Sequence, residues 1–427
     1  MLSVMAVMGA TIVSCADQPD KFELADGVPT VMYVRSPKAS ASDSLMSGAF
    51  MGNSICLVGN NLKSIKEIYF NDQKAVINTS YVTDHTFIVD VPKTIPTDVK
   101  DKIFMVTKNN DTIPYDFKVY VPSPQVNSMA CEYVAPGKEV TVYGDYFIDD
   151  PQPAKALTIT MAGNVKVTQI TSISKTQMSF IVPENAVPGY ITVKTQYGVG
   201  RSKFQYRDPR NILFDWDGSH GGLTTGQGWR NGVIHTSGTG GIVGIDGSYL
   251  YFGGVAIKGD IGGTWAEDNF CMNYWPDTNS ATMGALSDRP EFKELLATYG
   301  VDKLQIKFEY YVPTSNPWKS AALQIMFTNN VEVTNATGNN SYYGASFPRG
   351  LWLPWKDSGS FDSGDQWKTC TIKLSEFNKN NDGTTNSTPL DVNHFTGLTL
   401  FVWHGGVAGV DCEPVICIDN IRVVPID

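Results

Sequence analysis

The chain has 427 residues, 42% of them hydrophobic, only 18% charged, and a formal net charge of −10. At ~150 residues per domain that length calls for about three domains, each with its own core. The acidic balance argues against nucleic-acid binding, which needs a basic face. Abundant Gly, Tyr, Thr and Asn suit sheets and turns better than long helices. The seven cysteines do not have the spacing of a disulfide-dense scaffold or a zinc site. A disulfide between Cys412 and Cys417 in a late hairpin is open. Ordinary buried thiols are the preferred reading.

Met1 to Val13 is a short apolar run, too short to span a bilayer, which needs ~20 residues. It has the length of the apolar region of a secretory signal. The run ends in Ile12-Val13-Ser14-Cys15, which resembles the lipobox of bacterial lipoproteins. That resemblance implies removal of residues 1–14 and acylation of Cys15. Ser14 fits the pattern; Ile12 and the missing Lys or Arg before the apolar run depart from it. Residues 15–27 carry Asp17, Asp20, Glu23 and Asp26 with few bulky apolar groups, and read as a flexible acidic tether. An acidic run after such a cysteine resembles the surface-export signal of Bacteroidetes lipoproteins.

From Val28 onward short alternating runs are separated by turn residues. Ile55 to Leu62, with Gly59 inside it, is followed by Thr86 to Pro92, and Lys102 to Thr107 is expected to pair with Tyr115 to Val121. The pattern recurs about 90 residues later, a period that fits two copies of a small sandwich. Val140 to Phe147 holds Gly144, and Met178 to Pro183 again closes in Val-Pro. The two glycines are expected to supply a backbone turn closed to other residues, and Pro92 and Pro183 to end a strand. These features resemble the IPT/TIG immunoglobulin-like family, which places one module at 28–122 and a second at 123–208. Joints at Val121-Pro122-Ser123-Pro124 and Arg207-Asp208-Pro209 read as semi-rigid, so the two modules read as a stalk.

All nine tryptophans lie in residues 209–427. Strands are expected at Asn211 to Phe214, Ser248 to Phe252, Leu304 to Val312, Ala322 to Phe327, Lys368 to Leu374, Leu398 to Val402 and Val415 to Val424. Leu304, Ile306, Phe308, Tyr310 and Val312 fall on one face. Pro290 to Tyr299 is the one good helix candidate. Many strands without a βαβ rhythm predict an antiparallel sandwich of jelly-roll type, so the whole chain reads as all-β.

Five runs of this segment carry a further resemblance: Gly244 to Tyr249, Trp265-Ala266-Glu267, Arg349 to Trp355, Trp367 to Phe377 and Ile418 to Arg422. Together they resemble the C-terminal domain of Bacteroidetes surface glycan-binding proteins, lipoproteins of starch-utilisation-like systems with tandem immunoglobulin-like modules before a carbohydrate-binding sandwich. The resemblance implies a non-catalytic protein on the outer membrane, lipid-anchored and facing outward. It implies a neutral polysaccharide as ligand, of β-glucan type such as xyloglucan, mixed-linkage glucan or laminarin. It also implies an outer-membrane transporter and a companion binding protein as partners. No cofactor is expected. Related sandwiches hold a structural calcium where first and last strands meet, and Asp215, Asp217 and Asp419 sit there. Calcium needs several oxygen ligands, too few of which can be named, so no metal is assigned.

The chemistry of a sugar suits this composition. A pyranose has one rather apolar face and a polar rim, which a flat indole and nearby amides or carboxylates complement. Burying ~80–100 Å² per sugar is worth roughly 2 kcal/mol gross. The expected contacts are Trp318, Trp352, Trp275, Tyr343 and Trp403: the first four stand in loop-like or edge-like settings, and Trp403 alternates away from Leu398, Leu400 and Val402. Trp216, Trp265, Trp355 and Trp367 are expected in the core. Glu309 lies on the polar side of its strand, where it is free to bond a sugar hydroxyl. Two rival functions remain open: an adhesin or protein-interaction module, and a jelly-roll glycoside hydrolase. Against the hydrolase, no pair of the domain's glutamates stands in a recognisable catalytic setting, and the five histidines are scattered.

Overall fold

The computed structural model describes residues 22–41, 43–220, 233–261, 264, 266–274, 284–328 and 347–427. It is mostly β, with several sheets, and divides into two compact units, Met1–Pro122 and Ser123–Asp427. Cys15 lies outside the described residues. Among the described residues no helix is long and apolar enough to cross a membrane.

The first unit is built from period-two strands. Thr30–Arg35, Ser54–Asn60 and Thr86–Asp90 form one sheet, and Gln73–Lys74, Ile65–Phe70, Lys102–Thr107 and Thr112–Asp116 form another. Alternate residues of these strands, among them Ile55, Leu57, Phe87, Ile68, Ile103 and Met105, meet in one core. The expected partner of Lys102–Thr107 is corrected. The strand pairs with Thr112–Asp116, whereas Lys118–Tyr120 runs parallel to Gly48–Phe50. Phe117 between them is 1% exposed. Burying that ring turns the chain out of one sheet and into the other.

In the second unit, eight strands between Gln125 and Tyr206 form one sheet that curls around Val126, Val142, Ile159, Phe180, Val193 and Phe204. The repeated glycine has the same role in both units. A Cβ on Gly59 would lie 1.8 Å from the Thr30 carbonyl oxygen, and one on Gly144 would lie 1.8 Å from that of Gln125. Neither glycine has a left-handed φ. The expected turn is therefore corrected: glycine is needed because a neighbouring strand's carbonyl occupies the place of a side chain.

The rest of the second unit is two facing sheets. The six-stranded one holds Ile234–His235, Tyr249–Phe252, Ile416–Pro425, Leu304–Tyr311 and Lys368–Lys373 in that order, with Ile212–Phe214 pairing onto Ile416–Pro425. The four-stranded one runs Cys271–Tyr274, Gly397–Trp403, Ala322–Thr328 and Gly350–Trp352. Leu304, Ile306, Phe308, Ile418 and Ile421 from the first meet Leu323, Ile325, Leu398, Leu400 and Val402 from the second. Each such side chain removed from water contributes about 1.5–3 kcal/mol gross. The helix Pro290–Tyr299 opens on its proline and buries Phe292 and Leu296 against this core. Cys412 and Cys417 are both free thiols.

At the joint Arg207-Asp208-Pro209 the Tyr133 hydroxyl donates to the Asp208 carbonyl at 2.6 Å, and the neighbouring residues are bonded across it. Glu132 accepts from Lys307 Nζ at 2.6 Å and from Arg422 Nη2 at 2.7 Å. Arg422 also donates to Glu309 at 2.8 Å, and Thr369 Oγ1 donates to Glu309 while accepting the Glu132 N–H. The Tyr133 ring lies under the guanidinium, 4.7 Å from its carbon. All four charged groups are buried. Their charges cancel, which is the condition for burying them at all. The curled sheet and the two-sheet body therefore share a charge-locked seam.

Candidate functional site

The edge strands Gly350–Trp352 and Lys368–Lys373 lie on the same side of the two-sheet body, one from each sheet. Between them opens a groove of about 720 Å³. Its apolar wall is Leu351, Leu353, Ile372 and Val407, and its polar rim is Lys356, Glu376, Asn378, Lys379, Asp382 and Thr384. That volume lies in the ~300–1,000 Å³ range of small-ligand sites. Two cations and two anions on the rim leave it without net charge, which suits a neutral ligand.

The loops that build the groove are tied to each other. The Arg349 N–H donates to the Lys379 carbonyl at 3.0 Å, and the Lys379 N–H returns the bond at 3.2 Å. Asn380 and Asn386 bond side chain to side chain at 2.7 Å, and Asn380 bonds Thr384 at 2.9 Å. Asp382 accepts from the hydroxyl and the N–H of Thr384, and these bonds hold its carboxyl below the usual range. A Cβ on Gly406 would lie 1.7 Å from the Asp382 carbonyl oxygen, so only glycine lets the two loops close together. Such mutual bonding fixes the rim before a ligand arrives, which lowers the ordering cost of binding.

Trp403 ends the strand Gly397–Trp403, and the next residues run into the groove wall at Gly405, Gly406 and Val407. Its ring is half-buried on the face turned away from the main core. It stacks on Phe401 with centroids 5.7 Å apart and meets His404 edge-on at 5.2 Å. His404 Nδ1 accepts the N–H groups of Gly405 and Gly406, which leaves its proton on Nε2 as a donor. Burial lowers the His404 pKa, with Asp382 opposing, so the ring is neutral at pH 7. An indole, a neutral imidazole donor and a charge-balanced groove thus follow one another along the chain.

The other expected contacts fare differently. Trp318 is 0% exposed, and its indole N–H donates to the Ser320 carbonyl, so the expectation of a loop-borne platform is corrected: the ring is core. A proline-flanked loop can still turn its aromatic inward, and here the ring fills the space under Trp352. Trp352 is half-buried, edge-on to Phe308, Tyr310, Trp318 and Phe361. Leu351 and Leu353 on either side of it line the groove, while its own ring packs against the main core. Trp275 and Tyr343 lie outside the described residues, as does Trp265. Trp216 and Trp355 are core, whereas Trp367 packs in a satellite cluster with Tyr249 and Tyr311. Glu309 is 0% exposed in the seam, so it is not free to meet a sugar. Asp215 binds His220, and Asp217 accepts the Ser248 N–H. Among the described residues no three His, Cys, Asp or Glu are placed to hold a metal.

Leu351, Leu353 and Ile372 of the groove's apolar wall fall in the runs Arg349 to Trp355 and Trp367 to Phe377, but its polar loops carry no binding signal in the sequence. Asn378-Lys379-Asn380-Asn381-Asp382-Gly383-Thr384 reads as a turn-rich loop, and His404-Gly405-Gly406 as another. Either run is visible as a loop. Their convergence beside Leu351 depends on sheet order, which periodicity does not report.

Residues 206–425 match the family model described as surface glycan-binding protein B xyloglucan binding domain. The crystal structure of the surface glycan-binding protein PbSGBP-B from Prevotella bryantii is 37% identical, over 95% of this chain and 100% of that one, with a TM-score of 0.77. An IPT/TIG domain-containing protein of Bacteroides ovatus is 25% identical over 231 residues, 50% of this chain and 45% of that protein. The matched segment of the family model is a little over half of the chain, and with the Prevotella structure similar along nearly its whole length, the chain belongs to the surface glycan-binding protein B family of non-catalytic, cell-surface glycan binders.

Proposed function

We propose that this protein is an outer-membrane lipoprotein, anchored through Cys15, that binds a neutral β-glucan such as xyloglucan and passes it to an outer-membrane transporter with a companion binding protein. In this reading residues 28–122 and 123–208 are IPT/TIG immunoglobulin-like modules, and residues 209–427 are a jelly-roll-type binding sandwich. The observation that carries the ligand class is the charge-balanced groove of about 720 Å³ inside the segment that matches a xyloglucan binding domain. A linear glucan lies along the edge of the sandwich, with Trp403 and Trp352 as aromatic contacts and Trp275 and Tyr343 as further ones. Asp382, Thr384 and Asn378 serve as hydroxyl partners. Two or three aromatic contacts worth roughly 2 kcal/mol each, less immobilisation, give micromolar to millimolar affinity. Weak sites suffice where polymer and receptors are both multivalent.

The test is an affinity gel series with xyloglucan, mixed-linkage glucan, laminarin, mannan, xylan and starch. Retardation by xyloglucan or mixed-linkage glucan, weakened in a Trp403→Ala variant that melts normally, is expected. Migration unaffected by every polymer would sink the reading. Incorporation of labelled fatty acid by the parent but not by Cys15→Ala tests the anchor separately.

A further inference from the structure

The seam between the curled sheet and the two-sheet body contains a second cavity. It measures about 230 Å³ and lies away from the groove. Its walls come from both sides: Asn127, Ser128 and Lys203 from the curled sheet, Gln305, Lys307 and Thr371 from the body. The volume is below the ~300–1,000 Å³ of sites for larger ligands. One sugar ring fits such a space; a chain does not.

The wall chemistry is that of a polyol site. Lys307 is buried and spends one N–H on Glu132, at 2.6 Å, which leaves two donors. Gln305 is 7% exposed and makes one long bond, Nε2 to the Pro425 carbonyl at 3.3 Å, so its carbonyl oxygen is a spare acceptor. Lys203 and Thr371 add a donor and a hydroxyl on opposite walls. The lining holds two cations, Lys203 and Lys307, and two anions, Glu132, which Lys307 shares with Arg422, and Asp427, which accepts from Tyr190 and lies 3.5 Å from Arg210. Charged ligands therefore gain nothing. Met129 and Ile426 supply an apolar patch for a C–H face. Donors and acceptors that converge around a small space, with no net charge and one apolar wall, match a ring bearing hydroxyl groups.

We propose that this cavity is a second carbohydrate subsite that takes a single neutral sugar ring, either as free monosaccharide or as the branch or end residue of an oligosaccharide. It exists only because the seam holds its two walls together. It does not depend on the groove binding a glucan.

The test uses the full chain and saturation-transfer NMR with glucose, xylose and galactose, then with a branched oligosaccharide built from them. Transfer to at least one sugar is expected in the parent and in Trp403→Ala. In Thr371→Val it should weaken at least threefold, and in Ser128→Trp, which fills the cavity from the other wall, it should vanish. Retardation of both cavity variants by polysaccharide in a gel should be unchanged. Transfer from the branched oligosaccharide alone would identify a branch residue as the occupant, and transfer from free sugars would identify monosaccharide. Absence of transfer from every sugar would mean that the cavity holds only water, and overturn the proposal. So would transfer that survives both cavity variants or is lost in Trp403→Ala, since the sugar would then sit in the groove.

Discussion

Two sets of four charged residues sit in the same unit and do opposite things. Glu132, Lys307, Glu309 and Arg422 are buried in the seam and bonded to each other at 2.6–3.1 Å. Lys356, Glu376, Lys379 and Asp382 stand around the open groove. Both sets carry two cations and two anions. In the seam, each charge has a bonded partner of opposite sign, because an unmatched charge in a low-dielectric interior costs several kcal/mol. On the rim, water screens each charge, and neutrality instead decides what is attracted. A count of charges therefore says nothing until burial is known.

The largest effect should come from the seam. Arg422→Met removes the cation that joins Glu132 to Glu309 and leaves two buried carboxylates facing each other. Loss of one partner from a buried network costs about 3–5 kcal/mol. Urea unfolding should show that loss, and Arg422→Met with Glu309→Gln and Glu132→Gln should recover part of it. A loss under about 1 kcal/mol would mean that the seam is wetter than its burial indicates.

The next effect is pH dependence. Burial pushes the Glu309 carboxyl up to about 7, against the pull of Arg422, and pushes Asp419 up as well. A carboxyl whose folded pKa lies above its unfolded value contributes its full stability below the unfolded value. That contribution is lost as pH rises through the folded value. Stability should therefore fall between about pH 4.5 and pH 7.5, by on the order of 3 kcal/mol for Glu309. Thermal melts across that range should show a lower midpoint at the alkaline end. Glu309→Gln should flatten the slope, and an unchanged slope in the variant would assign it to other groups.

Much of this architecture was legible, for a physical reason. Strands such as Leu304–Tyr311 and Gly397–Trp403 show in sequence because one face is core and alternation records it. The helix Pro290–Tyr299 shows because it carries its own start signal. What escaped depended on distant neighbours. Gly59 and Gly144 look like turn glycines until the carbonyl that displaces their side chain is seen. Glu309 occupies a polar-side position in its strand, but the surface it points to is covered by Glu132 and Tyr133, some 175 residues earlier in the case of the Lys307 partner. Trp318 follows a proline in a loop, and the loop folds inward. For the groove, the residue types were visible, and their meeting point was not.

The rim offers the smaller effects. Trp403→Ala should weaken glycan binding about tenfold, the ~1.4 kcal/mol of one aromatic contact after its costs. Its stacking on Phe401 makes a control necessary, so the melting midpoint is measured alongside the gel. Trp403→Phe keeps the stack and should retain most of the affinity.

The smallest expected effect is the most discriminating. Asp382→Asn gives the rim one net positive charge while keeping a side-chain oxygen for the Thr384 N–H. Asp382 is exposed, so its depressed pKa marks local bonding to Thr384 and little of the global stability. If the ligand is neutral, charge is irrelevant and only hydroxyl bonding changes. Affinity should then move by less than about threefold, and should not change between ~50 and ~500 mM salt in parent or variant, because no Coulomb attraction is there to be screened. A glycan bearing carboxylates or sulfates behaves otherwise: Asp382→Asn would tighten its binding, and salt would remove the gain. The groove and the seam would then differ in more than burial, because the rim's balance would be incidental to its ligand where the seam's balance is required by the fold.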